Sequence, residues 1–376
     1  MTPRQELIKY LLDFGFLEEE VVSILNDKTI KQSKEETILD HAKDINAYLL
    51  KEHCSKGEII KQVTDFPKLY GHTQENIEQK NKDLLELGFS KQNIQIIRKR
   101  FSRIYSYSKE NIKNTIESIQ KMGFTKNQVM KMVILYPSLI GYKITTLQQK
   151  KQDLIDFGYE EKDAVKILKT VPIVFQNAKE TNQQILDNFI SLGYTKEIFI
   201  KMTKGLPTLY EYSFEKNITR KFNGLMKLGY SKEEVIKITC TFPTIYSYSM
   251  ERIKNRFKEL MDLGYTKEEV LQMTASLPSL FGYNYDGIKE KIDYLNEIGL
   301  GFVVTENTKQ LMQSVELTYA RYEFLKEVKK EVTPKNYTIL FRREISFQKQ
   351  FNITKQELLE KYKYKDYLEA KNGRTL

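Results

Sequence analysis

Cysteine and histidine are scarce in this 376-residue sequence, and tryptophan is absent. The two cysteines, Cys54 and Cys240, lie far apart in the chain, and the histidines are His41, His53 and His72. These counts exclude a disulfide framework, and no Cys/His cluster has the spacing of metal ligands. They also leave no candidate for a Ser–His–Asp or Cys–His catalytic arrangement. We therefore expect a protein that is not an enzyme and that needs no metal and no cofactor.

Long apolar runs and Gly-rich phosphate loops are missing too. No apolar run has the length of a membrane span, and no loop has the Walker or Rossmann pattern. The N-terminal stretch MTPRQELIKYLLDFGFLEEE carries several acidic residues, unlike a signal peptide or an acid-poor transit peptide. We expect a cytoplasmic or nucleoid-associated protein, organellar only if import is non-standard, with neither a membrane nor a small-molecule partner.

The charge balance is basic. Lys and Arg outnumber Asp and Glu by 60 to 50, which gives a net charge of +10 and a pI near 9.1. Such an excess favours a polyanionic partner such as nucleic acid, or an anionic membrane face. Lys, Ile, Asn and Tyr are all abundant, as an AT-rich genome would produce, so part of the excess has a simpler origin. The total leaves the question open, and the positions of the charges must decide it.

The sequence does contain an internal repeat of about 35 residues. A Gly between an apolar residue and Phe, Tyr or Leu marks each unit, at Gly15, Gly88, Gly123, Gly158, Gly193, Gly229, Gly264 and Gly299. His53 takes the place of the one missing Gly. A Pro stands fourteen residues after these marks from His53 on, at Pro67, Pro137, Pro172, Pro207, Pro243 and Pro278, with Ser102 in the remaining unit. Two such registers together indicate a stacked-repeat architecture.

Each unit is typical of two helices joined by a tight turn. In one unit Gly229 ends a helix in a left-handed conformation, and Ser231 with Glu234 forms the capping box of the next helix. Pro243 ends that first helix because it cannot continue the hydrogen-bond ladder, and PTIYSY forms a 3₁₀-like connector. Ser249 then caps the second helix. Apolar residues four and one before each Gly form a face that only stacking on neighbouring units can bury.

We therefore expect an all-α solenoid with three parts. Residues 1–52 form an irregular N-terminal capping repeat, residues 53–299 form seven regular repeats, and residues 300–376 form a degenerate C-terminal helical cap.

The unit LGYSKEEVIKITCTFPTIYSYSMERIKNRFKEL resembles the repeat of the mitochondrial transcription termination factor (mTERF) family. The resemblance rests on Leu-Gly-Tyr, a capped helix, Pro-x-Ile and a Tyr-Ser pair, and it covers residues 50–300 closely. It implies a right-angled α-solenoid of helix–helix–3₁₀ units, curved into a half-ring whose basic concave groove holds nucleic acid. Family members bind double-stranded DNA or structured RNA and act in transcription termination, ribosome biogenesis or intron splicing.

Basic residues recur at fixed positions of the repeat. Eight residues before the Gly, on the second helix, lies a set that we call the second-helix ladder: Lys80, Lys150, Lys221, Arg256 and Lys291. Further candidates for nucleic-acid contact are Lys113, Arg220, Arg252, Lys254 and Lys289 on second helices, and Arg98, Arg100 and Arg103 in the unit with Ser102. A position repeated on stacked units makes a line of charge that phosphates would match.

Another set lies eight residues after the Gly position, and we call it the first-helix row: Lys61, Lys131, Lys166, Lys201 and Lys237. We predict that the second-helix candidates bind nucleic acid, whereas the first-helix row is equally well explained as a solvated face that keeps the protein soluble.

Aromatic residues occupy two positions of the connector. Three residues after the Pro position, Tyr alternates with Phe and Ile, which indicates core. Five residues after it, the position also holds His and Asn and must reach water. Candidates for stacking on bases there are Tyr107, Tyr142, Tyr212, Tyr248 and Tyr283. Packing within the connector is the simpler interpretation of these side chains.

The function predicted from these patterns is binding of double-stranded nucleic acid, DNA in preference to RNA, by a monomer that terminates or regulates transcription. Two alternatives stay open. One is binding of structured RNA, in rRNA or intron processing, and the other is a protein–protein scaffold, since solenoids often serve that purpose. The face that carries the basic residues discriminates between a nucleic-acid binder and a scaffold.

Overall fold

The computed structural model describes residues 2–373, and its regular secondary structure over that range is helical, with no β-strand. The α-helices are α1 Pro3–Phe14, α2 Glu18–Asn26, α3 Lys28–Lys31, α4 Glu35–Lys51, α5 Lys56–Asp65, α6 Gln74–Leu87, α7 Lys91–Arg100, α8 Lys109–Lys121, α9 Lys126–Leu135, α10 Ile144–Phe157, α11 Glu161–Thr170, α12 Lys179–Ser191, α13 Lys196–Gly205, α14 Arg220–Leu228, α15 Lys232–Thr241, α16 Met250–Asp262, α17 Lys267–Ser276, α18 Tyr285–Glu297, α19 Val303–Glu306, α20 Val315–Glu327, α21 Glu344–Phe351, α22 Lys355–Lys361 and α23 Tyr364–Gly373.

Short 3₁₀ turns separate the first helix of each unit from the second. They are Pro67–Gly71, Ser102–Ser106, Pro137–Gly141, Pro172–Phe175, Pro207–Tyr210, Pro243–Ser247, Pro278–Phe281, Thr308–Met312 and Tyr337–Phe341. A π-helical turn, Phe214–Thr219, precedes α14. The predicted helix–3₁₀–helix unit is therefore confirmed.

The chain divides by its internal contacts into two compact units, Met1–Ile185 and Leu186–Leu376. In the first unit the first helices α5, α7, α9 and α11 pack in sequence, and so do the second helices α4, α6, α8 and α10. In the second unit α13, α15 and α17 pack in sequence, as do α14 with α16 and α18 with α20. Each unit is thus a two-layered solenoid segment, and the three-part division at residues 52 and 299 stays a prediction.

The Gly marks end helices as predicted. All eight have positive φ, a conformation in which an L side chain is strained and Gly is not. His53, which stands in for the missing Gly, also has a positive φ of 61°. One backbone geometry therefore joins the units even where the residue type departs from the pattern.

The capping predictions hold as well. Ser231 with Glu234 forms the predicted reciprocal capping box, and Thr266 with Glu269 repeats it in the next repeat unit. The Ser249 hydroxyl accepts a hydrogen bond from the Arg252 N–H at the start of α16. Each Pro of the register is the first residue of its 3₁₀ turn, where its missing N–H costs nothing.

The connector position three residues after the Pro is buried in every regular unit, as predicted. These side chains, 6% exposed or less, are Tyr70, Tyr105, Ile140, Phe175, Tyr210, Tyr246 and Phe281. The hydroxyls of Tyr70 and Tyr105 donate to the side-chain oxygens of Asn46 and Asn81, at 2.9 and 3.1 Å. The preceding second helix thereby satisfies a polar group that the connector buries.

The repeat continues past the point where the sequence register ends. After Gly299, the four-residue helix α19, the turn Thr308–Met312 and α20 repeat the same order in shortened form. Thr308 begins the turn where a Pro stands elsewhere, and its hydroxyl donates to the Val304 carbonyl. Beyond it, α23 packs on α20, and Tyr364 of α23 packs against Tyr294 of α18.

Candidate nucleic-acid interface

The second-helix ladder points toward the connector of the following unit. The Nζ of Lys80 lies 2.9 Å from the carbonyl oxygen of Tyr107, and that of Lys150 lies 2.5 Å from the carbonyl oxygen of Asn177. Arg256 donates through Nη2 to the Tyr283 carbonyl at 2.5 Å. In each pair the acceptor lies 27 residues after the donor. Three donors of the ladder thus reach the same position one unit further on.

The other two residues of the ladder also donate to a carbonyl of the following repeat unit, but at a different position of the connector. Lys221 donates to the carbonyl oxygen of Tyr246, and Lys291 donates to that of Leu311 at 2.9 Å. Carbonyls near the end of a helical turn lack an internal donor and carry negative partial charge, so they attract a cation. The ladder therefore links consecutive units, a role that the sequence pattern did not reveal.

Burial follows from these contacts. Lys80, Lys150, Lys221 and Arg256 are half-buried, and the Lys291 side chain is only 4% exposed. Burial lowers the pKa of Lys221, and it lowers the pKa of Lys291 to about 7 although Glu316 opposes the shift. In this position Lys291 does not reach the surface, contrary to the predicted phosphate contact. For the half-buried members, phosphate binding stays a prediction that competes with their internal bonds.

Arg98 corrects a second expectation. Its side chain is 1% exposed and its Nη2 lies 3.1 Å from the Sγ of Cys54, so it is not available to a phosphate. The reason is its position, ten residues after the Gly, which faces the core in every unit. The equivalent buried residues are Val63, Val133, Leu168, Thr203, Thr239 and Thr274. That alignment of positions was the signal in the sequence that would have placed Arg98 inside.

The two other arginines of that unit lie at the surface. Arg100 is exposed, and its Nη1 donates to the carbonyl oxygens of Ile134 and Leu135 at the end of α9. Arg103 is exposed, with its guanidinium 6.0 Å from the ring centre of Phe66.

The remaining second-helix candidates are exposed, but several have partners. Lys289 pairs with Asp293 at 2.6 Å, and Lys113 lies 4.0 Å from Glu117. The Arg252 guanidinium lies 4.1 Å from the ring centre of Tyr248. Arg220 and Lys254 are exposed. Carboxylates thus accompany the cations on this layer.

The connector tyrosines proposed for stacking are half-buried, as their variable position predicted. Two of them pack on a glycine of the next connector: a Cβ on Gly141 would lie 2.5 Å from the Tyr107 hydroxyl oxygen, and a Cβ on Gly282 would lie 2.6 Å from that of Tyr248. Packing between connectors therefore accounts for these two rings, and base stacking by Tyr107, Tyr142, Tyr212, Tyr248 and Tyr283 stays a prediction.

All members of the first-helix row are exposed. Among residues 2–373, the side chains of Lys61, Lys131, Lys201 and Lys237 have no ion pair and no hydrogen bond. Within each of the two compact units, the first helices pack against one another in sequence. The lysines eight residues after the Gly position therefore form a row of cations on the surface of each compact unit. From the sequence, this surface was explained equally well as a contact for nucleic acid and as a solvated face.

The sequence profile of the mTERF family matches the chain in four overlapping stretches, residues 1–119, 104–156, 150–258 and 206–305. The chain belongs to the mTERF family. No curated protein matches it at a significant level. The resemblance of the repeat units is thereby confirmed, and the match extends to the residues before position 50, which precede the stretch of close resemblance.

Membership in the mTERF family indicates nucleic-acid binding by helical repeats, in a family that is not typically enzymatic. Within the described part of this mTERF protein, no group of three or more His, Cys, Asp or Glu side chains is placed to hold a metal ion. Over the same residues, none of the helices combines the length and apolarity needed to cross a bilayer.

Proposed function

We propose that this mTERF protein binds double-stranded nucleic acid through its first-helix row, with a preference for DNA over RNA. By occupying a site on the nucleic acid, it would terminate or regulate transcription. Family membership supports the class of ligand. The observation that carries the choice of surface is a contrast between two sets of cations. The second-helix ladder is bonded to carbonyls inside the protein, whereas the first-helix row is exposed.

In the first compact unit α7 interrupts the row, because it holds Ile96 at this position. Lys61 on α5 and Lys131 on α9 flank that helix, which contacts both of its neighbours. Between them α7 and its connector present Arg100 and Arg103 at the surface. Three cations on consecutive first helices and one on a connector suit a duplex, which carries a negative charge about every 1.7 Å along its axis.

In the second unit, Lys201 on α13 and Lys237 on α15 repeat the position on two helices in contact. A lysine without a carboxylate partner can neutralise a phosphate and so release the cations condensed on the nucleic acid, which favours binding by entropy. On the second-helix layer, Glu117 beside Lys113 and Asp293 beside Lys289 weaken the attraction for phosphate.

Two triple variants test the choice of surface. Lys61→Gln, Lys131→Gln and Lys201→Gln together neutralise the row, and Lys113→Gln, Lys254→Gln and Lys289→Gln together remove the same charge from the second-helix layer. We expect the first variant to bind a fluorescent DNA duplex at least about tenfold more weakly than wild type. The second should bind within about threefold of wild type. The reverse ranking would move the interface to the second-helix layer.

Competition decides between the two kinds of duplex. An unlabelled DNA duplex should displace the labelled one at lower concentration than an RNA duplex or hairpin of the same sequence. Preferential displacement by RNA would favour the structured-RNA alternative, and failure of both to bind would favour a protein–protein scaffold.

A further inference from the structure

The second-helix ladder is interrupted at α8. Eight residues before Gly123, where five of the other six regular units hold Lys or Arg and the sixth holds Ile185, stands Thr115. Tyr142 lies 27 residues after Thr115, the same separation that joins Lys80 to Tyr107 and Lys150 to Asn177. Among the described residues, the carbonyl oxygen of Tyr142 accepts no hydrogen bond. The unit therefore keeps the acceptor position of the ladder without its internal cation.

A surface cavity of about 320 Å³ occupies this place. It lies between α8, α10 and the connector Pro137–Gly141, and Thr115 is part of its wall. The other polar lining side chains include Asn111, Asn114 and Ser118. No lining residue is acidic among those that the structure describes, so the cavity offers neutral oxygen acceptors.

The surroundings of Lys221 show what such a position binds. Its ammonium donates to the Asn217 side-chain oxygen at 3.0 Å and to the Tyr246 carbonyl, and it lies 5.8 Å from the ring centre of Tyr212. Asn217 stands twelve residues before its Gly, Tyr246 three residues after the next Pro, and Tyr212 five residues after the preceding Pro.

The cavity holds the counterpart of each of these groups. Asn111 stands twelve residues before Gly123, Ile140 stands three residues after Pro137, and Tyr107 stands five residues after Ser102. All three line the cavity. An amide oxygen, a connector carbonyl and an aromatic ring thus surround a space that, in the other unit, holds an ammonium group.

We propose that this cavity is a binding site for an alkylammonium group supplied from outside the chain. The ammonium would donate to the Asn111 side-chain oxygen and to the connector carbonyls of Ile140 and Tyr142, and it would lie against the ring of Tyr107. Charge-assisted hydrogen bonds and a cation–π contact supply the attraction. Among the described residues Lys143 is the only basic one in the lining, and the equivalent site around Lys221 likewise has a basic neighbour, Arg220.

The source of the ammonium is either a free polyamine or a lysine side chain of a partner protein. The full-length protein is titrated with spermidine and, separately, with Nα-acetyl-lysine methylamide, and the side-chain amide NMR signals of Asn111 and Asn114 are followed. Saturable shifts with spermidine alone indicate a polyamine. Shifts with the lysine derivative indicate a partner's lysine. Inorganic phosphate serves as the probe of opposite charge.

Two variants make the test decisive. Thr115→Lys supplies the missing ammonium from within and should abolish the shifts, whereas Thr145→Lys adds the same charge at an exposed position of α10 outside the lining and should preserve them. Asn111→Asp should raise the affinity about tenfold, because it adds a negative charge next to the ammonium. Absence of shifts with both amines, unchanged shifts in Thr115→Lys, or binding of phosphate in their place would overturn the proposal.

Discussion

The ammonium nitrogen of Lys80 lies 2.9 Å from the carbonyl oxygen of Tyr107, which belongs to the next unit of the repeat. This bond and its counterparts on α10, α14, α16 and α18 join those second helices to the connectors that follow them. A solenoid has no single core to hold distant units together, so its stability depends on such contacts between neighbours.

Lys80→Met tests the structural role of the ladder. The variant keeps the length of the apolar stem but leaves the Tyr107 carbonyl without a donor, and we expect the free energy of unfolding to fall by about 1–2 kcal/mol. Urea denaturation measures the change. Lys113→Met, at an exposed position of the next second helix, is the control and should alter stability by less than about 0.5 kcal/mol. Equal effects of the two variants would contradict the role assigned to Lys80.

Lys291 should make the stability of the protein depend on pH. Burial lowers its pKa from 10.5 to about 7 in the folded chain. Between these values the unfolded chain holds a proton that the folded chain has released, so the free energy of unfolding rises with pH, by up to about 1.4 kcal/mol per pH unit. Below about 7 both states hold the proton and this contribution is constant.

The measurement compares wild type with Lys291→Met in urea denaturation between about pH 7.5 and about pH 9. The variant should lack the rise that wild type shows. Lys289→Met removes an exposed lysine of the same helix and should retain the wild-type rise. A rise of the same size in wild type and Lys291→Met would show that another group causes it.

Gly141 and Tyr107 should be energetically coupled. A Cβ on Gly141 would lie 2.5 Å from the Tyr107 hydroxyl oxygen, so Gly141→Ala forces the ring to move and should cost about 1–3 kcal/mol. In a Tyr107→Phe background the close contact is gone and the same change should cost less than about 1 kcal/mol. A double-mutant cycle from denaturation curves gives the coupling, and additive effects would refute it.

His53 carries strain that a glycine would relieve. Its φ of 61° is a conformation that L side chains adopt at a cost, and its side chain is exposed. We expect His53→Gly to raise the free energy of unfolding by about 0.5–1 kcal/mol, net of the entropy that Gly adds to the unfolded chain. His53→Ala keeps the Cβ and should remain within about 0.5 kcal/mol of wild type. Stabilisation by Ala as large as by Gly would rule out backbone strain as the cause.

The helix ends could be predicted from the sequence because they depend on local chemistry. Gly229 ends a helix and Ser231 begins one for reasons contained within a few residues. The shortened unit around α19 could not be predicted because no Pro stands fourteen residues after Gly299, and the turn begins at Thr308 instead.

The site was harder to predict because the charge of a residue and its position in the repeat can give different predictions of whether it lies at the surface. Arg98 looked like part of a basic cluster, yet its place ten residues after Gly88 is a core position in the other units. The acceptor of Lys80, the Tyr107 carbonyl, lies in the next repeat unit. Residue spacing within one repeat unit therefore cannot predict this contact. Exposure of the first-helix row likewise follows from how neighbouring first helices pack.

The salt dependence of duplex DNA binding tests the central claim most directly. The slope of log affinity against log salt is measured for wild type and for the variant with Lys61→Gln, Lys131→Gln and Lys201→Gln. If these lysines contact phosphates, the slope should be shallower in the variant by about 0.9 for each lost contact. A slope equal to that of wild type would show that the first-helix row does not touch the nucleic acid.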